Sequence, residues 1–103
     1  MINEQTHALL KETLSEIDNE EIILFGSRAR NDYTEKSDYD LLIIVKDNIN
    51  INEKMTLSTY LRKKLAKKGV DADIIIKSRQ DINYYKTKPG NVVISALQDG
   101  VIL

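Results

Sequence analysis

Gly26-Ser27-Arg28-Ala29-Arg30 is followed, after a short polar stretch, by Ser37-Asp38-Tyr39-Asp40-Leu41-Leu42-Ile43-Ile44-Val45. The two segments read as a phosphate grip beside a metal grip. The apolar run Ile22-Ile23-Leu24-Phe25 just before them has the length of a buried strand, which puts Gly26 and Ser27 at a strand's carboxyl end. Open α/β sheets take their ligands there. Glycine at that point lets backbone approach a polyphosphate, Ser27 adds a hydroxyl donor, and the N–H groups of the helical turn that follows favour anions. Arg28 and Arg30 add positive charge. Asp38 and Asp40 are one residue apart, so on a strand they share a face. Like charges a few ångströms apart cost on the order of 4 kcal/mol at a dielectric constant of about 20, unless a cation lies between them. The economical reading is a divalent metal. Mg²⁺ takes few protein carboxylates and completes its shell with water and substrate phosphates, which suits an acid pair beside a phosphate loop.

Outward from this centre the pattern is that of alternating helices and strands. Residues 3 to 18 read as an amphipathic helix through Thr6, Leu9, Leu10, Thr13, Leu14 and Ile17, and its lone His7 reads as a surface residue. A short helix is expected from Ser27 to about Asn31, then a polar loop whose Tyr33 is either exposed or stacked on a base. Tyr39 to Val45 is apolar on both faces beyond Asp40 and reads as a central, covered strand. Glu53 to Lys68 reads as a helix with Leu57, Leu61 and Leu65 buried, Tyr60 beside them and Gly69 as its cap. The basic cluster Arg62-Lys63-Lys64 with Lys67-Lys68 suits a helix carboxyl end. Val70 to Ile76 reads as a third strand, on which Asp71 and Asp73 share a face. Ser78 and Asp81 are placed to cap a further helix anchored by Ile82, Tyr85 and Tyr84. Lys88-Pro89-Gly90-Asn91 interrupts it, and Val92 to Gln98 forms a last helix with Val93, Ile94 and Leu97 on one side. The terminal Val101-Ile102-Leu103 either adds to a sheet edge or faces a partner.

The chain has 103 residues, enough for one domain with one core and too few for a separate substrate domain. Apolar residues make up 42% and charged residues 30%, which argues against disorder. No cysteine is present, so disulfides and thiolate metal sites are excluded. No apolar run approaches the roughly 20 residues of a membrane span and the first residues are not signal-like, so the expected location is the cytoplasm, with no membrane association. Fifteen basic against sixteen acidic side chains give a net charge of −1. That balance does not build the field with which basic proteins hold long nucleic acid, so long DNA or RNA is not the expected substrate.

Gly26-Ser27, ten intervening residues and Asp38-Tyr39-Asp40 before an apolar strand resemble the signature of the DNA polymerase β-like nucleotidyltransferase superfamily. The likeness is greatest to its minimal nucleotidyltransferase (MNT) branch. Lys88-Pro89-Gly90 and the ending Asp99-Gly100-Val101-Ile102-Leu103 are similar to the tails of small bacterial members. The resemblance implies an α/β (α+β) fold of the polymerase β type, a small mixed sheet with flanking helices, as a single domain over residues 1–103. It implies a third acid on the strand after the second helix. The acid directly before the long apolar run matches best, which selects Asp73, with Asp71 as the other candidate.

The resemblance also implies a reaction. In two-metal nucleotidyl transfer Asp38 and Asp40 would bind both ions, and Asp73 only the ion that activates the attacking hydroxyl. Gly26, Ser27 and the nearby backbone would hold the outgoing pyrophosphate, with Arg28 or Arg30 offsetting its charge. The ions would be Mg²⁺, or Mn²⁺, and the substrate ATP, whose AMP moves to a hydroxyl. In the MNT branch that hydroxyl is often a tyrosine of a HEPN-domain companion, the toxin of a toxin–antitoxin pair, so a HEPN protein is the expected partner and this chain the expected antitoxin. Two alternatives stand beside it: an antitoxin that neutralises by contact and keeps its acids for nucleotide sensing, and an antibiotic nucleotidyltransferase, which is handicapped by the lack of a second domain. One small domain does not enclose both substrates, which argues for a homodimer or a hetero-complex.

Overall fold

The computed structural model describes residues 4–103. Its centre is β2 (Tyr39–Val45), a strand with apolar side chains on both faces. Leu41, Ile43 and Val45 enter the larger core, and Leu42 and Ile44 enter a second core on the opposite side. Around it lie α1 (Glu4–Leu14), β1 (Glu21–Phe25), α2 (Ser27–Arg30), α3 (Ile51–Lys67), β3 (Ala72–Ser78), α4 (Arg79–Tyr85), α5 (Val92–Asp99) and β4 (Val101–Ile102). The sheet order is β3-β2-β1-β4. β1 is antiparallel to both β2 and β4, whereas β2 and β3 are parallel and joined by the α3 crossover. The sheet is therefore mixed.

Two layers of helix close it. Leu10 and Leu14 of α1 with Leu61 and Leu65 of α3 pack in one core; Ile82 of α4 with Val93 and Ala96 of α5 pack in the other. Among the described residues no helix is long and apolar enough to cross a membrane.

Several boundaries depart from the sequence pattern, each for a local reason. Residue 3 lies outside the described residues, and α1 stops at Leu14 rather than 18. Its carboxyl end tightens into i to i+3 bonds, with Glu16 N–H donating to the Thr13 carbonyl at 3.4 Å and Ile17 N–H to Leu14 at 3.5 Å. α3 starts at Ile51, ahead of Glu53, because Asn50 caps it: the Asn50 side chain accepts from Glu53 N–H at 2.9 Å. Its other end is a Schellman motif. Val70 N–H donates to the Leu65 carbonyl and Gly69 N–H to Ala66, both at 3.0 Å, with Gly69 at φ +83°. Val70 is thus part of the helix stop, and β3 begins only at Ala72, leaving Asp71 outside the strand.

The buried lines are also corrected. Leu57 is only partly buried, and Tyr60 is half exposed with its hydroxyl 3.1 Å from Glu16 Oε2. Tyr84 is exposed and does not anchor α4, while Ile82 is buried. On α5 the residue packed on the sheet after Val93 is Ala96, and Leu97 is exposed. The reason is close approach: a Cβ on Gly100 would overlap the Ala96 carbonyl oxygen and the Ile23 side chain, so small residues let α5 settle onto β1. The terminal segment adds to the sheet edge as β4, and Leu103 N–H donates to the Ile22 carbonyl at 2.9 Å.

Candidate active site

The site forms where β1 ends and where β2 and β3 begin. Antiparallel register sets Asp40 opposite Phe25, one residue before Gly26. Parallel register sets Asp40 beside Asp73. Because strand side chains alternate, Asp40 shares a face with Leu42 and Ile44, and Asp73 shares that face one strand over. Asp38 sits two residues before Asp40, just ahead of the strand.

Gly26 is the hinge of this corner. It lies at φ +74° and ψ −158°, a region open essentially only to glycine. A Cβ there would overlap Asp40 Oδ2 and stand 3.1 Å from Asp40 Cγ. The sequence reading gives this glycine to a phosphate; in the structure Asp40 is the group that comes closest. The Gly26 carbonyl then accepts from Ala29 and Arg30 N–H at 3.1 Å each, starting α2 with Ser27 as its first residue. α2 ends at Asn31, whose φ of +66° is left-handed and whose N–H donates to Ser27 O.

The electrostatics follow from this crowding. Burial pushes the Asp40 carboxyl above its ordinary value, the negative charges of Asp73 and then Asp38 push it further, and Arg30 partly offsets them. Arg30 also pairs with Asp32, at 3.3 Å and largely exposed. A cavity of about 380 Å³ opens beside the acids, with Asp38, Asp71, Ala72 and Asp73 on one side and Arg62, Lys63 and Ala66 of α3 on the other. Asp71 thus lines the same space, but the carboxylates that act on Asp40 are Asp73 and Asp38. The Asp71 carbonyl has a structural task, accepting Tyr39 N–H at 2.9 Å.

Arg28 is engaged within the chain. Its Nε and Nη2 donate to the Ser37 carbonyl at 3.2 and 3.0 Å, and Nη2 also to the Glu35 carbonyl at 3.3 Å. The guanidinium lies over the rings of Tyr33, at 4.3 Å, and Tyr39, at 4.4 Å. Tyr33 therefore packs on Arg28. Arg62 and Lys63 are the site-lining residues that sequence reasoning missed. Their charge looks like that of any helix carboxyl end, and only the crossover of α3 against β3 brings them to the acids.

The donor set suits a hard divalent cation: the groups are carboxylate oxygens, and one of them carries an electrostatic penalty that a cation would relieve. Among the described residues no group of three or more acidic, histidine or cysteine side chains is arranged to hold a metal ion. Mg²⁺ does not need one, since it binds through one or two carboxylates plus substrate phosphates.

The chain matches the family described as Polymerase beta, Nucleotidyltransferase over residues 8–99. Two relatives from Methanocaldococcus jannaschii, each named "Putative protein adenylyltransferase", are 44% identical over 62 residues and 37% identical over 65. These matches cover 60% and 63% of this chain, and 57% and 63% of the relatives' own lengths. Among solved structures, a nucleotidyltransferase from Sulfolobus solfataricus, named as putative, superposes with a TM-score of 0.61 at 23% identity, covering 94% of this chain and 74% of that one. A toxin–antitoxin structure with AMP-PNP gives a TM-score of 0.58 at 18% identity, over 98% and 72% of the two chains. The complex of a tri-AMPylated Shewanella oneidensis HEPN toxin with its MNT antitoxin gives 0.55 at 14% identity, over 92% and 69%. At such identities the likeness to the solved structures is one of fold.

Proposed function

Because this chain belongs to the polymerase β nucleotidyltransferase family, we propose that it moves AMP from ATP to a protein hydroxyl and releases pyrophosphate. The observation that carries the reading is Asp40 wedged against Gly26, with Asp73 level with it on the neighbouring strand and the charges of Asp73 and Asp38 both acting on it. Asp38 and Asp40 would hold both Mg²⁺ ions and Asp73 one. When bound, these ions supply positive charge for the transferring phosphoryl group and make the acceptor hydroxyl more acidic. Asp73, which lines the cavity, would take that hydroxyl's proton. Ser27 and the backbone N–H groups at the start of α2 hold the outgoing pyrophosphate, with Arg30 the nearer source of positive charge.

In-line displacement needs the acceptor and the leaving group on opposite sides of phosphorus. With pyrophosphate at the Gly26-Ser27 turn, the acceptor enters from the cavity lined by Asp73, Arg62 and Lys63. The acceptor we favour is a tyrosine of a HEPN-domain partner, with this chain as the antitoxin. Its support is the fold shared with an MNT antitoxin in complex with a HEPN toxin.

The test is intact-mass spectrometry of the protein and its co-purifying partner after incubation with ATP and Mg²⁺, alongside Asp38→Asn. Addition of one or more AMP groups to the partner, absent with the variant, is the expected outcome. A stable complex without a mass change, and equal neutralisation of the partner by wild type and an Asp38→Asn, Asp40→Asn double variant, would replace enzyme by contact antitoxin.

A further inference from the structure

Arg28 grips both chain neighbours of Asp38. On one side its Nε and Nη2 both donate to the Ser37 carbonyl, which belongs to the same rigid peptide plane as the Asp38 N–H. On the other its guanidinium lies 4.4 Å from the Tyr39 ring centre. The same group reaches the Glu35 carbonyl and the Tyr33 ring, so one side chain gathers the stretch from 33 to 39. The loop's own bonds are local: Ser37 N–H donates to the Thr34 carbonyl and Thr34 N–H to Ser37 Oγ, each at 3.0 Å, Lys36 N–H donates to Thr34 Oγ1 at 3.3 Å, and the Thr34 and Ser37 hydroxyls lie 3.5 Å apart. None of those reaches across to α2, whereas Arg28 does.

We propose that Arg28 is a positioning residue that holds Asp38 in place by clamping Ser37 and Tyr39, and that it is not a ligand of the nucleotide phosphates. Asp38 lies ahead of β2 and so lacks the ladder that fixes Asp40 between β1 and β3. The bond from Tyr39 N–H to the Asp71 carbonyl, at 2.9 Å, holds the peptide on the carboxyl side of Asp38, and the clamp adds from α2 the hold on the peptide on its amino side. The chemistry needs arginine, because only a planar fork places two donors on one carbonyl while its face packs on aromatic rings. It also leaves Tyr33 engaged with Arg28 instead of with a base.

The experiment compares wild type, Arg28→Met and Arg28→Lys. Amide hydrogen exchange over residues 33–39 is measured with no ligand, and Mn²⁺ affinity and steady-state kinetics are measured on the same proteins. The kinetic arm rests on the transferase reading above. For Arg28→Met we expect exchange over this stretch to rise by about tenfold, Mn²⁺ to bind more weakly, and kcat to fall by about 10²-fold with the KM for ATP within about twofold. Arg28→Lys keeps the charge but not the fork and falls between the two, which keeps the test intact if the methionine variant does not fold. Unchanged exchange with a raised KM for ATP would make Arg28 a phosphate ligand and overturn the proposal. Raised exchange with unaltered Mn²⁺ affinity and kcat would sever the clamp from Asp38 and overturn it too. Failure of the transferase reading shows differently: wild type itself gives no turnover, while the exchange comparison still decides the clamp.

Discussion

A methyl group on Gly26 would stand where Asp40 Oδ2 now lies, so the two residues share one small volume and neither changes alone. Gly26→Ala has two costs, a side chain at φ +74° and the eviction of the Asp40 carboxylate. We expect a stability loss of about 1–3 kcal/mol in urea denaturation and a fall in transfer rate of about 10²-fold. The crowding also predicts the opposite sign for another variant. A carboxyl whose value is raised on folding binds its proton more readily when folded, so its ionisation destabilises the fold. For Asp40 that penalty is fully present at neutral pH and disappears as pH falls through the raised value to the ordinary 3.8. Asp40→Asn should therefore raise the melting temperature at pH 7 without metal, with the gain shrinking below that window, while transfer is lost. Adding Mg²⁺ or Mn²⁺ should raise the wild-type melting temperature and leave the variant's unchanged. Differential scanning calorimetry at two pH values, with and without metal, checks both halves.

Element boundaries show what residue patterns carry and what they do not. β2 was fully legible because its bounds are local: Asp40 marks where polarity stops, and alternate apolar residues fill two cores. The α4 cap was legible for the same reason, since Ser78 and Asp81 need only their spacing. The capping box is complete, with Asp81 N–H donating to Ser78 Oγ and Ser78 N–H to Asp81 Oδ2, both at 3.0 Å. Lys54, from α3, joins it at 2.6 Å. Burial works against the ionised Asp81, but Lys54 and Ser78 outweigh it and hold the carboxyl below its ordinary range. The stabilisation is thus present above about the ordinary 3.8 and is lost as pH falls through the lower folded value. Asp81→Ala should cost about 1–2 kcal/mol at pH 7 and less in acid, read from denaturation at both pH values, with transfer at low temperature little altered. What eluded the sequence depends on distant backbone. Val70 looks like strand and serves a helix stop, and Arg28 looks like phosphate charge yet answers carbonyls seven and nine residues on.

At the scale of the molecule, the choice between Asp71 and Asp73 is a matter of sheet register. Both acids fit a period of two, and only the pairing of Tyr39 with Ala72 puts Asp73 beside Asp40. The family resemblance selects Asp73 as the acid directly before the apolar run, while the offset itself belongs to the pairing of two strands. Arg62 and Lys63 stayed hidden for a related reason, because their place at the cavity depends on how the α3 crossover lies against β3. The opposite end of the sheet depends on intimacy between layers. Gly100→Ala has no conformational cost, since φ is −74°, yet its Cβ would overlap Ala96 and Ile23. We expect a loss of about 1–3 kcal/mol, with exchange rising first in α5 and β4 and last in β2, as hydrogen-exchange mass spectrometry would show.

The parallel pairing of β2 with β3 has a consequence in time. A chain emerging amino end first holds its Gly-Ser turn and Asp38 and Asp40 well before Asp73 exists, and Asp73 reaches Asp40 only after the whole α3 crossover has been made and laid down. Such non-local pairing is among the later events of folding. Until then the acidic corner lacks Asp73.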